Sequence, residues 1–83
     1  LNAAWLVYPN PTSGDLTITS LNDAGQTRLD LLDMTGRLVL SEQKQLGVAG
    51  SSLMSFAGRI SPGTYVLRMT TANGRSEQRV VLK

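Results

Sequence analysis

Turn-forming residues break this chain at short and regular intervals, and that spacing limits what it can become. Pro9-Asn10-Pro11-Thr12-Ser13-Gly14 is followed by Asp23-Ala24-Gly25, Met34-Thr35-Gly36, a Gly/Ser-rich stretch over 47–52, Ser61-Pro62-Gly63 and Ala72-Asn73-Gly74. Gly tolerates positive φ, Pro presets φ and removes a donor, and Asn and Asp bond their own backbone. No segment keeps a helical stripe for the ten or so residues a helix needs before a Gly or Pro interrupts it. Short runs separated by turn signals about every 8–12 residues predict a β-sandwich or barrel.

The runs between the turns carry the period of a strand. Trp5-Leu6-Val7-Tyr8 reads as a short first strand. Over 15–20, Leu16 and Ile18 share one face while Thr17 and Thr19 share the other. The segment 27–33 places Leu29 and Leu31 inward, and 37–42 does the same with Leu38 and Leu40. A weak fifth strand is expected over 53–56. In 64–71, Tyr65, Leu67 and Met69 oppose Val66, Arg68 and Thr70, and 75–83 closes the chain with Val80 and Leu82 toward the core. One apolar and one solvated face per strand is the pattern of antiparallel sheet. Two hairpins are expected, one through Asp33-Met34-Thr35-Gly36 and one through Asn73-Gly74. The fold class is therefore all-β, an immunoglobulin-like antiparallel β-sandwich of about seven strands, without the Cys…Trp…Cys spacing of true immunoglobulin domains.

The chain has 83 residues, which suits a single domain over 1–83, with 1–6 as linker or first-strand edge. Such a domain buries only about 60% of its unfolded surface, so each large apolar residue weighs heavily. An apolar fraction of 41% against 17% charged residues excludes a disordered segment. The eight Lys and Arg residues exceed the six acidic ones by only two. They are scattered along the chain, so nucleic-acid binding is not expected. No apolar run approaches the roughly 18 residues of a membrane helix, and membrane insertion is not expected. No leader is visible, and the chain opens on Leu1; it reads as a piece of a longer exported protein.

Catalysis is not expected from the residue types. With no Cys and no His, the usual nucleophile–base pairs and zinc sites are unavailable. Asp30 and Asp33 stand three apart on a strand and point to opposite faces, so they form no acid/base pair. No phosphate-cradling Gly loop is present. No cofactor and no metal are expected.

The turns and strands together form a constellation. Val7-Tyr8-Pro9-Asn10-Pro11-Thr12-Ser13-Gly14-Asp15-Leu16-Thr17-Ile18 opens it, and Leu31-Leu32-Asp33-Met34-Thr35-Gly36-Arg37-Leu38-Val39 forms a second unit. Ser61-Pro62-Gly63-Thr64-Tyr65-Val66-Leu67-Arg68-Met69 forms a third; Asn73-Gly74 with the strand to Leu82 and Lys83 forms the fourth. In this order and spacing over 7–83, the units resemble the type A C-terminal sorting domains of the type IX (Por) secretion system. Each unit alone is common; the specificity is in the four together. The stretch 43–55 carries no motif.

The resemblance implies a non-catalytic delivery signal. Such a domain follows its cargo through the periplasm and is recognised by the outer-membrane secretion translocon. A sortase-like peptidase then removes it in many members, and the cargo is released or joined to lipopolysaccharide at the cell surface. The recognition residues it implies are Pro9, Asn10, Pro11, Gly14, Asp33, Gly36, Arg37, Pro62, Gly63, Tyr65, Gly74 and Lys83.

Each of these residues also has a plainer reading. Pro9 and Pro11 are adequate as a rigid turn. Asp33 can bond the backbone of its own hairpin, and Tyr65 can pack in the core with its hydroxyl satisfied at the rim, in the manner of a tyrosine corner. Arg79 and Lys83 can guard an open edge, or Lys83 can end a strand that a receptor reads. The open edges also invite edge-strand self-association. Two other functions fit a small β-sandwich. A carbohydrate-binding or adhesion module needs exposed aromatics, for which Trp5 is the best placed of Trp5, Tyr8, Phe56 and Tyr65. A structural spacer predicts further domain sequence after Lys83, whereas a sorting signal predicts a stop there.

Overall fold

The alternating apolar rows assemble into two antiparallel sheets that share one core. The computed structural model describes residues 5–9, 11, 13–21, 25–47, 50–55, 59–72 and 74–83. The strands in chain order are β1 (Trp5–Tyr8), β2 (Asp15–Ser20), β3 (Gly25–Asp33), β4 (Leu38–Leu46), β5 (Ser51–Ser55), β6 (Gly63–Thr71) and β7 (Gly74–Leu82). One sheet has the order β1-β2-β5 and the other β4-β3-β6-β7. This is an immunoglobulin-like sandwich in which the fourth strand belongs to the larger sheet.

The inner rows meet as their period requires. Leu16 and Ile18 of β2 and Met54 of β5 pack against Leu29, Leu31, Tyr65, Leu67, Met69, Val80 and Leu82 of the larger sheet. Thr27 and Ser20 are also fully enclosed, and no buried side-chain polar atom among the described residues lacks a partner. Burying a Leu, Ile or Met side chain contributes about 1.5–3 kcal/mol, so this row is the main source of stability.

Several sequence expectations are corrected. β4 runs to Leu46, four residues beyond the expected end, and β5 spans Ser51–Ser55 rather than 53–56. Phe56, the expected end of the fifth strand, lies outside the described residues. Leu38 was expected inward, yet it is 48% exposed. The cause is a bulge: Leu31 faces Leu40 and Leu32 faces Leu38, leaving Val39 as the extra residue. A bulge places two residues against one and flips the phase of the strand. Val39 therefore packs on the core beside Leu40, and Leu38 turns outward. Trp5, the candidate for an exposed sugar platform, is instead half-buried against the core.

Both expected hairpins are present, with one difference. Gly36 closes the β3–β4 turn at φ +91, a conformation that disfavours any residue with a Cβ. In the β6–β7 hairpin Thr71 pairs with Gly74, so the connection is residues 72–73. Gly74 is then the first residue of β7, and Asn73 lies outside the described residues.

Candidate functional site

Strand direction decides which segments meet. β2 is antiparallel to both β1 and β5, so the end of β1, the start of β2 and the end of β5 lie together. By the same rule the ends of β3 and β7 lie with the starts of β4 and β6. At the other end of the strands Ser20 N–H donates to the Gly50 carbonyl at 2.9 Å, joining the exit of β2 to the entrance of β5 beside the β4–β5 connection. The sandwich therefore has two poles. One carries the β1–β2, β3–β4 and β5–β6 connections and the end of β7. The other carries the β2–β3, β4–β5 and β6–β7 connections. The long axis of 32 Å matches nine strand residues at about 3.3 Å each.

Pro9, Pro11, Gly14, Asp33, Gly36, Arg37, Pro62, Gly63, Tyr65 and Lys83 all sit at the first pole. Gly74 alone among the described ones lies at the opposite pole, and Asn10 lies outside the described residues. Pro9, Pro11 and Lys83 are exposed there, while Gly14 is buried at the entrance of β2.

The β3–β4 turn stands at this pole, on the β4 edge of the larger sheet. Asp33 N–H donates to the Arg37 carbonyl at 2.9 Å and Gly36 N–H to the Asp33 carbonyl at 3.0 Å. The Asp33 carboxylate fills the turn. Its Oδ1 accepts from the Thr35 N–H at 2.9 Å, the Thr35 hydroxyl and the Arg37 N–H at 3.0 Å. Its Oδ2 accepts from Arg37 Nε at 3.2 Å. These donors, the Thr35 hydroxyl first and then the Arg37 N–H, hold the Asp33 carboxyl down at about 2. Asp33 stays ionised, and its charge faces inward to the turn.

The β5–β6 connection stands beside it. Tyr65, in register with Asp33 across β3 and β6, is buried, and its hydroxyl donates to the Ser61 carbonyl at 2.6 Å. That bond, from the start of the sixth strand to the backbone four residues upstream, is a tyrosine corner. It fixes Pro62 and Gly63 against the strand entrance. Arg59 Nη1 donates to the Ser55 carbonyl at 3.1 Å. Asp33, Arg37, Val39, Arg59, Ile60, Ser61 and Tyr65 line an open cleft of about 430 Å³.

The sequence drew attention to Asp33, Arg37 and Tyr65 in this cleft but missed Val39, Arg59, Ile60 and Ser61. Val39 enters only because of the bulge, and Arg59 only because the β5–β6 connection folds toward the β3–β4 turn. Ser61 had a readable signal, its position four residues ahead of a strand-opening Tyr. Among the described residues no group of three or more acidic side chains gathers where a metal could bind.

Comparisons with known proteins address fold and family. The crystal structure of CopC from Methylosinus trichosporium OB3b superposes with a TM-score of 0.53 at 16% identity, covering 92% of this chain and 88% of that one. At that identity the likeness is one of fold. A comparison with curated protein sequences gives no match. The family described as secretion system C-terminal sorting domain matches residues 6–83, nearly the whole chain and all four sequence units. The chain belongs to that family, whose members are C-terminal sorting signals for type IX secretion.

Proposed function

We propose that the pole bearing the β1–β2, β3–β4 and β5–β6 connections is the surface by which the type IX machinery reads this domain. One observation carries the reading. Residues drawn from separate stretches of sequence, Pro9 to Gly14, Asp33 to Arg37, Pro62 to Tyr65 and Lys83, converge on one end of one folded body. A surface assembled from four segments exists only when the chain is folded, so the signal in this reading is a tertiary one. The partners are the outer-membrane translocon and then a sortase-like peptidase. The route runs through the periplasm to the cell surface or the medium. Residues 1–83 act as one non-catalytic domain and need no cofactor.

A pair of insertions tests the pole. A reporter fused ahead of the domain receives a short Gly/Ser segment either after Pro11, at the proposed pole, or after Gly47, at the opposite one. With folding of both verified by circular dichroism, the first is expected to strand the reporter in the periplasm and the second to export it. Export of both, or of the first alone, would remove the pole from consideration.

Pairing between copies is a further expectation, for which β5 is a suitable edge. It is uncharged and Leu53 is 59% exposed on it.

A further inference from the structure

We infer that the cleft between the β3–β4 turn and residues 59–61 receives an acidic peptide segment of a partner protein, a carboxylate carried beside an apolar side chain. The inference deepens the proposed function, since it rests on the first pole being the contact surface. The cleft volume of about 430 Å³ falls in the range of ligand pockets, about 300–1,000 Å³. Its lining has two chemistries. Val39, Ile60 and Tyr65 are its largely apolar members, and Arg37 and Arg59 are its cationic ones.

The guanidinium groups keep donors to spare. An Arg carries five N–H donors. Arg37 commits Nε to Asp33 and Arg59 commits Nη1 to the Ser55 carbonyl. Their other N–H groups bond no described side chain, and the Arg37 side chain is 80% exposed. Asp33 lines the same cleft but does not compete for them, because both its oxygens are turned onto Thr35 and Arg37. Its bond to Arg37 Nε instead holds that fork at the cleft. Planar guanidinium forks match carboxylate oxygens in a bidentate way. A bare anion would satisfy the forks and leave Val39, Ile60 and Tyr65 uncovered, so a peptide carrying both groups fits best.

The test is a titration of the isotope-labelled chain, followed by backbone amide shifts. The probes are acetyl-Leu-Glu-amide, acetyl-Leu-Gln-amide and inorganic phosphate at matched ionic strength. The Glu peptide should shift the amides of Gly36, Arg37, Ser61 and Tyr65, binding about tenfold more tightly than either other probe, the worth of a charge-assisted pair. Arg37→Gln and Arg59→Gln should each weaken it several-fold while leaving the rest of the spectrum in place. Equal binding of the Gln peptide, phosphate binding as tight as the peptide's, shifts centred elsewhere, or no shifts would overturn the inference. The same two variants enter the reporter export assay. Lost peptide binding with normal export would overturn the cleft as a partner site, whereas the pole itself stands or falls on the insertions.

Discussion

At Asp33 one carboxylate organises the whole β3–β4 turn, and its acid–base behaviour follows from that role. Its ordinary carboxyl value of 3.8 falls to about 2 in the folded chain. A depressed folded value means that the group stabilises the fold fully above the unfolded value and loses that contribution as pH falls toward the folded one. Asp33→Asn should therefore destabilise the domain by a constant amount above about pH 5, a gap that closes between about pH 4 and 2. Urea midpoints of the two proteins across pH, read by Trp5 fluorescence, check this; a gap independent of pH would contradict it. Tyr65 makes a second, uncharged anchor. Tyr65→Phe keeps the buried ring and leaves the Ser61 carbonyl without its donor, at a cost of about 0.5–1.5 kcal/mol in urea unfolding.

Strands are where the alternation of the sequence meets constraints from its neighbours. Ser41, Asp30, Arg68 and Glu77 stand opposite one another across β4, β3, β6 and β7. Ser41 Oγ donates to Asp30 at 2.6 Å and Arg68 Nε to Glu77 at 2.9 Å, a polar rung that opposes slippage of the sheet. On β4, Glu42 and Lys44 face Leu29 and Thr27, the core side of an edge strand, and Lys44 Nζ lies 3.8 Å from Glu42. Inward-pointing charges make an edge unfit for pairing with another chain. Replacing both with Val should promote concentration-dependent self-association, visible in sedimentation velocity; an unchanged monomer fraction would argue against this role. On β5 neighbouring residues separate sharply. Met54 is fully buried while Leu53 is 59% exposed. Met54→Ala should cost about 2–5 kcal/mol and Leu53→Ser within about 0.5 kcal/mol, both measured by urea unfolding.

For the molecule as a whole, antiparallel topology separates the two ends of its function. β1 begins at Trp5, which pairs with Ser20 at the exit of β2, so the described chain enters the fold from the end of β1 away from the first pole. Export should therefore tolerate reporters of different size. Folding is the shared requirement. Leu67→Ala, at a fully buried site, should cost about 2–5 kcal/mol against a total of about 5–15 kcal/mol for such domains. Its export should fall in step with the unfolded fraction seen by circular dichroism. Normal export of a variant shown to be unfolded would mean that a linear peptide is the signal.

Local chemistry in the sequence was enough for the all-β class, the inner rows Leu16/Ile18, Leu29/Leu31, Tyr65/Leu67/Met69 and Val80/Leu82, and the Gly36 hairpin. Period-2 burial and positive φ are properties of a residue and its near neighbours, and they leave their mark on spacing. The sequence alone also supplied the four ordered units that place the chain in its family. Tertiary structure decided the rest. The bulge at Val39, which reverses Leu38, depends on how β4 meets β3, and the burial of Trp5 depends on the opposing sheet. The shared pole and its cleft depend on strand order, because residues such as Arg37 and Arg59 become neighbours only after two sheets close on one core.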